Sequence, residues 1–173
     1  MRAIIQSHTP QECERIINGQ QTIKVCKTAP KETPFKVYMY CTKDGYMYRC
    51  RFDENRLAIP ELWNGKVIGE FVCEKVDKYR FSNYEAEYDV THDEMSQMCL
   101  NHPDLIKYGK GKTLRGLHIS SPKIYDKPKE LVGFKTIKCT NKRGSCSDCK
   151  TKPDCIKQIT RPPHEWQYVE DGK

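Results

Sequence analysis

Hydrophobic and polar residues alternate along much of this chain with the two-residue period of β-strands. The clearest case is residues 35–42, where Phe, Val, Met and Cys alternate with Lys, Tyr, Tyr and Thr. Asp44-Gly45 follows this segment and predicts a tight hairpin turn into the next strand. Strands are predicted at residues 2–7, 22–28, 35–42, 46–52, 65–76, 114–120 and 165–169.

Helices are predicted where a capping signal precedes an apolar face. Residues 9–12 (Thr-Pro-Gln-Glu) and 91–94 (Thr-His-Asp-Glu) both have the spacing of a capping box. The first helix is expected to end near Gly19, and the second to cover residues 91–101. A short third helix is predicted at residues 127–132, where a proline suits the first turn.

These elements predict an α+β fold. Several short strands, few helices and a late closing strand are typical of a small β-barrel that is closed or nearly closed, with two or three flanking helices. A length of 173 residues fits one domain, so we expect a single domain over residues 1–173.

Charge and composition are compatible with an anionic partner but do not require one. The formal net charge is +7 and the sequence pI is about 8.8. Ten of the aromatic residues are Tyr, which can stack on rings while remaining hydrated. The first residues lack a signal-peptide core, and no apolar run is long enough to cross a membrane, so we expect no membrane association and a cytoplasmic location.

Four cysteines close together are the strongest sign of a metal site. They are Cys139, Cys146, Cys149 and Cys155, within a basic segment at residues 138–158. Thiolates at this spacing can converge on one tetrahedral ion, which predicts a structural zinc. Disulfides and unligated reduced thiols are the alternatives, although a cytoplasmic location disfavours disulfides.

The remaining six cysteines are scattered along the chain and are interpreted as small buried hydrophobic residues. They are Cys13, Cys26, Cys41, Cys50, Cys73 and Cys99.

A series of segments carries a resemblance to a known family. In order, they are residues 17–25 (INGQQTIKV), 34–40 (PFKVYMY), 65–71 (GKVIGEF), 117–120 (LHIS), 124–128 (IYDKP) and 160–169 (TRPPHEWQYV). Together they resemble the ASCH domain of the PUA-like superfamily, in the form common in bacteria and their phages. The resemblance implies a small barrel with a cleft that acts on RNA or nucleotides, and it makes the Cys-rich segment an insertion before the last strand.

One branch of that family hydrolyses N4-acetylcytidine with a lysine and a threonine that follow the first helix. The corresponding positions here are Gln21 and Lys24. Gln21 cannot act as a base and Lys24 has no hydroxyl nucleophile, so this chemistry is not expected. We therefore expect a module that binds RNA or a nucleotide in a cationic cleft. A hydrolase of the amidohydrolase or ribonuclease type, or a protein that sequesters a small nucleotide, are the alternatives.

Candidate binding residues follow from charge and stacking. Lysine and arginine attract phosphates, and Trp166 and Tyr168 face the same side of the last strand, where a base can stack on them. A solvated strand face and a core position for Trp166 are the alternatives. The candidates for nucleic-acid binding are Gln21, Lys24, Lys27, Arg49, Arg51, Trp166 and Tyr168.

Any catalysis would need acid and base groups, for which the candidates are Lys24, Glu70 and His118. The alternatives are that Glu70 pairs with Lys66 or with a neighbouring strand, and that His118 has a structural role. RNA or a nucleotide is the expected partner, with DNA as an alternative polymer.

Overall fold

A computed structural model describes residues 1–52, 58–137 and 156–170, without the side chains of residues 49–52, 58–60, 137 and 156. The helices are α1 (Pro10–Ile17), α2 (His92–Met98) and α3 (His102–Gly109). The strands are β1 (Arg2–His8), β2 (Ile23–Cys26), β3 (Phe35–Cys41), β4 (Tyr48–Phe52), β5 (Ala58–Leu62), β6 (Lys66–Cys73), β7 (Val76–Tyr79), β8 (Phe81–Ser82), β9 (Glu87–Tyr88), β10 (Leu114–His118), β11 (Ser120–Glu130), β12 (Lys135–Ile137), β13 (Ile156–Gln158) and β14 (Trp166–Val169).

The larger sheet has five strands in the order β11-β6-β3-β1-β14. Strands β1 and β3 pair in parallel, and the other pairs are antiparallel. The middle strands are buried along most of their length because both faces of the sheet are covered. One face packs an outer-face cluster that includes Ile5, Tyr38 and Phe134, and the other packs an inter-sheet core that includes Ile4 and Phe71.

The smaller sheet has three strands in the order β2-β10-β7. Its alternation sends Ile23 and Leu114 into a helix-side cluster with Leu105 of α3. The opposite face sends Cys26 and Leu117 into the inter-sheet core. The two sheets therefore share one core, with α2 and α3 behind the smaller sheet.

Three two-stranded ladders complete the described part of the chain: β4–β5, β8–β9 and β12–β13. Within that part, no ladder of strands closes into a ring. The α+β class and the flanking helices are confirmed, whereas the closed barrel is not. The segment at residues 138–155, which connects β12 to β13 and contains the four candidate zinc ligands, lies outside the described residues.

Both predicted capping boxes are confirmed. Thr9 accepts from the Glu12 amide and Thr91 from the Glu94 amide, and each glutamate accepts from the amide of its threonine. The second helix ends at Met98, before the predicted residue 101. A separate helix, α3, then begins at the Asn101 cap, and the sequence analysis missed it.

Two predicted elements were wrong. Strand β4 pairs with β5 and not with β3, because both edges of β3 are already occupied by β1 and β6. The predicted helix at residues 127–132 belongs mostly to β11, which pairs with β6 after a register shift, and only Leu131–Gly133 forms a single 3-10 turn. A proline is tolerated there because β11 is an edge strand.

In the described residues, no helix combines the length and apolar character that a membrane crossing requires.

Candidate binding site between the two sheets

An edge strand of each sheet lies at the same side of the inter-sheet core. Strand β2 is the edge of the smaller sheet, and β14 is the edge of the larger one. Side chains of the β14 segment reach the backbone that follows β2: the Glu165 Oε1 accepts from the Lys27 amide at 3.4 Å. The Trp166 Nε1 donates to the Thr28 carbonyl at 2.9 Å. These contacts join the two edges into one rim of the inter-sheet core.

Polar side chains from both sheets meet behind this rim. Gln6 and His8 leave β1 on the same face as Ile4 of the inter-sheet core. Lys24 and Cys26 leave β2 toward them. We call Gln6, His8, Glu12, Lys24 and Cys26 the inter-sheet polar cluster; Glu12 joins it from α1.

The Lys24–Glu12 ion pair is the charged part of the cluster. Lys24 Nζ contacts Glu12 Oε1, and the two side chains are 13% and 25% exposed. The other carboxylate oxygen of Glu12 accepts from the Thr9 amide at 2.9 Å, so the capping box fixes the acid that holds the lysine. Burial acts to raise the pKa of Glu12, but the Lys24 charge and these hydrogen bonds outweigh it and hold the pKa at about 2.

Gln6 and His8 carry polar atoms that have no partner among the described residues. The Gln6 Nε2 contacts the Cys26 Sγ at 2.9 Å, but its Oε1 and both ring nitrogens of His8 are buried and unpaired. Burial, together with the nearby Lys24 charge, lowers the pKa of His8 to about 3. Burial likewise raises the pKa of Cys26 to about 12. At neutral pH the imidazole and the thiol are therefore uncharged, and the imidazole has one donor and one acceptor.

The rim carries aromatic rings next to charges. Tyr108 of α3 donates to Glu165 Oε1 at 2.6 Å, and Lys27 Nζ lies 4.9 Å from the centre of its ring. Burial and the hydrogen bond to Glu165 raise the pKa of Tyr108. Trp166 and Tyr168 contact edge to face, with ring centres 5.2 Å apart. Trp166 packs on the inter-sheet core, whereas Tyr168 is 40% exposed.

Three other predicted binding residues occupy different positions. Gln21 precedes β2 and is buried; its Nε2 donates to the Ile23 carbonyl, and its Oε1 has no partner among the described residues. Arg49 and Arg51 lie on β4, in register with Glu61 and Ile59 of β5, and their side chains are not among those that the structure describes.

The three catalytic candidates do not come together. Lys24 is in register with Leu117, so it faces the inter-sheet core, whereas the neighbouring His118 faces the opposite, helix-covered side. There, His118 Nε2 lies 2.6 Å from Asp77 Oδ2.

Glu70 is on the outer face of the larger sheet. It is in register with Tyr38 of the outer-face cluster, and its Oε2 accepts from the Tyr125 hydroxyl at 2.5 Å. Lys36 of the neighbouring strand β3 lies 4.0 Å from its other carboxylate oxygen, as the alternative of pairing with a neighbouring strand predicts, whereas Lys66 pairs with Glu130.

The four candidate zinc ligands cannot be placed, since they lie outside the described residues. Among the scattered cysteines with described side chains, four are buried as predicted and Cys99 is half-buried. The part of the chain that is described contains no group of three or more residues placed to hold a metal.

Sequence reasoning missed Gln6, His8, Glu12, Tyr108 and Glu165 as members of this site. One signal was present in the sequence. Gln6 and His8 follow Ile4 at two-residue intervals, so they lie on the face of β1 that an apolar core should cover. Polar residues at core-facing positions of a buried strand are a sign of a site.

Comparisons with known proteins bear on the fold. The solved structure of ASCH from Zymomonas mobilis matches with a TM-score of 0.56 and 12% identity, over 98% of this chain and 88% of that chain. A serine-to-alanine variant, ZmASCH from the same organism, matches with a TM-score of 0.59 and 11% identity, over 98% and 89%. A search of protein-family models and a search of curated proteins each gave no match. The chain thus has the ASCH-domain fold that its sequence implied.

Proposed function

We propose that the protein binds single-stranded RNA, or one nucleotide unit, at the inter-sheet polar cluster. The observation that carries this proposal is the partly buried Lys24 on the same inter-sheet side as unpaired polar atoms of Gln6 and His8. Buried polar groups without partners are costly, so a ligand with complementary groups gains free energy by pairing with them.

The chemistry of these groups suits a nucleobase edge. A neutral imidazole and an amide present both donors and acceptors, as base edges require. Lys24 adds a point charge that a phosphate or a carbonyl oxygen can use. Tyr168 is exposed at the same edge, and stacking of a base on such a ring contributes about 1–3 kcal/mol.

The ion pair with Glu12 sets a condition for binding. Lys24 is already neutralised in the free protein, so an anionic ligand has to compete with the Glu12 carboxylate. The Lys24 and Glu12 side chains are 13% and 25% exposed, whereas Gln6 and His8 are each 1% exposed. Binding therefore requires the lysine and the acid to separate, and the charge on Glu12 tunes affinity.

Hydrolysis is less well supported than binding. General acid–base catalysis needs groups within hydrogen-bond reach of one reacting atom. Lys24, Glu70 and His118 lie on three different faces, so the constellation expected from the sequence does not form.

Binding is tested by the anisotropy of a labelled short single-stranded RNA, with duplex DNA as competitor. A Glu12→Gln/Lys24→Met variant removes both charges together and leaves no unpaired buried ion. The matched control is Lys66→Met/Glu130→Gln, which removes an ion pair between β6 and the far edge strand β11. We expect an affinity for RNA that falls as salt rises, and weaker competition by duplex DNA than by unlabelled RNA. RNA affinity should fall at least about tenfold in the Glu12/Lys24 variant and not in the control.

The same experiment separates the alternatives. Product formation that the Glu12/Lys24 variant abolishes would support a hydrolase. Competition by a mononucleotide as strong as by RNA would support nucleotide sequestration. RNA affinity equal in the Glu12/Lys24 variant and the control would refute the inter-sheet site.

We also propose that Cys139, Cys146, Cys149 and Cys155 hold one structural zinc. The support is their spacing and basic surroundings. Strands β12 and β13 pair at the two ends of this segment, which fits a small arm inserted before the last strand.

A further inference from the structure

A second cationic feature lies beside the polar cluster and plays no part in the function proposed above. A cavity of about 340 Å³ opens between the loop after β2 and the smaller sheet. Its volume falls in the range of small-ligand sites. The lining residues are Ala29, Pro30, Lys31, Thr33, Val76 and Arg115. They include two cations and a hydroxyl, and none of the six is acidic.

Strand geometry connects this cavity to the inter-sheet face. Arg115 of β10 is in register with Cys26 of the polar cluster, so both side chains leave the smaller sheet on the same side. Cys26 is two residues from Lys24, a separation of about 7 Å along a strand. Val76 of the lining also packs on the inter-sheet core. One nucleotide can therefore contact the polar cluster and the cavity together.

No described residue neutralises the charges in the cavity. The side chains of Arg115, which is half-buried, and of Lys31 make no ion pair or hydrogen bond with a described residue. The acids that neighbour the lining residues in sequence have other partners. Glu32 pairs with Arg2 at 3.3 Å, and Asp77 accepts from Lys75 at 2.9 Å and contacts His118.

Five cations elsewhere in the described residues do have an acidic partner. These pairs are Arg2–Glu32, Lys24–Glu12, Lys36–Glu70, Lys66–Glu130 and Lys75–Asp77. Unlike those five, Arg115 and Lys31 have no acidic partner among the described residues, and they line one concave site together. A planar guanidinium, an ammonium and the Thr33 hydroxyl together suit a tetrahedral phosphate.

We propose that Lys31, Thr33 and Arg115 form a phosphate subsite for the ligand of the inter-sheet cluster. This inference rests on the proposed function for the identity of the ligand. The phosphate belongs either to the RNA backbone or to a mononucleotide, and both present the same oxygens. The subsite adds affinity through charge, and the polar cluster adds selectivity for the base.

The test uses a Lys31→Gln/Arg115→Gln variant of the full chain. The control, Lys123→Gln/Lys127→Gln, removes the same charge from β11 at the opposite edge of the larger sheet. We expect the first variant to lose at least about tenfold in affinity for single-stranded RNA. Its log–log salt slope should fall by about 0.7 for the one phosphate lost. The control should keep both values.

Competitors identify the source of the phosphate. If a nucleoside 5′-monophosphate displaces RNA from the native protein better than the nucleoside does, and this advantage disappears in the Lys31/Arg115 variant, the subsite accepts a mononucleotide. If neither competes while the variant still loses RNA affinity, the subsite accepts backbone phosphate.

Inorganic phosphate tests the subsite independently of the proposed function. We expect it to raise the melting temperature of the native protein more than chloride at equal ionic strength, and to lose this effect in the Lys31/Arg115 variant. A native protein that responds in this way but binds no RNA would refute the proposed function and keep the subsite. RNA binding that is equal in variant and control, with no specific response to phosphate, would overturn the subsite alone.

Discussion

The polar cluster predicts that the folding stability of the protein falls in acid because of His8. The side chain is buried beside Lys24, and its pKa falls from 6.5 to about 3 on folding. Between these two values the unfolded chain binds a proton that the folded protein does not. His8 therefore costs no stability above pH 6.5, and stability is lost progressively as the pH falls from 6.5 toward 3.

The magnitude follows from the same two values. Each pH unit inside the window costs about 1.4 kcal/mol, so lowering the pH from 7 to 5 removes about 2 kcal/mol of unfolding free energy. The pKa of Glu12 is also depressed, from 4.5 to about 2, but its contribution is lost mainly below pH 4.5. The range from pH 7 to 5 therefore isolates His8 from this neighbour.

Urea unfolding at pH 7 and pH 5 measures this effect. The native protein should lose about 2 kcal/mol more than a His8→Asn variant between the two pH values, or about 1 M in midpoint for an m-value of about 2 kcal/mol per molar. The exposed His164→Asn variant should behave like the native protein. A pH dependence that is identical in the native protein and His8→Asn would refute the buried, neutral imidazole.

Three further predictions concern the site and the arm. Glu12→Gln keeps the capping geometry but removes the charge that competes for the lysine, so anisotropy should show tighter RNA binding and not weaker. Tyr168→Ala should cost about 1–3 kcal/mol of RNA affinity by titration, whereas Tyr84→Ala, at a ring that is 98% exposed, should cost nothing measurable. Metal analysis of reduced protein should find about one zinc, lost in Cys149→Ser and kept in Cys99→Ser; absence of zinc from the native protein would contradict the four-thiolate site.

The parts of the fold that sequence predicted are those set by local chemistry. Thr9 and Thr91 cap their helices because the reciprocal bonds to Glu12 and Glu94 need only neighbouring residues. Strand β14 was recognisable from its own alternation. Asn101 and Asp104 have the same capping-box spacing, but the predicted second helix runs to residue 101 and so includes the residue that caps α3.

The features that the sequence did not predict depend on pairing between strands that are distant along the chain. The chain bends at residues 43–45, with Gly45 at a φ of 94°, yet the bend joins no hairpin because β3 is paired on both sides. Likewise, register placed Glu70 and His118 on faces away from Lys24. A shift of one residue would have reversed these faces, and nothing local fixes it.

The candidate site shows the same division between local signals and long-range pairing. Lys24, Trp166 and Tyr168 were identified from charge and alternation, and they do lie on the two neighbouring edge strands. Gln6 and His8 became site residues only when the smaller sheet covered their face. Arg115 emerged for the same reason, as it faces the inter-sheet side only through its register with Cys26.

The most direct test of binding between the sheets is the indole signals of the two tryptophans during titration with single-stranded RNA. The Trp166 Nε1–H donates to Thr28 at the rim, whereas Trp63 is buried in the core at 3% exposure and serves as an internal control. Nitrogen-15 correlation spectra should show the Trp166 indole signal shifting in proportion to bound RNA while the Trp63 signal stays in place. RNA binding that leaves the Trp166 signal unchanged would place the ligand elsewhere and contradict the account.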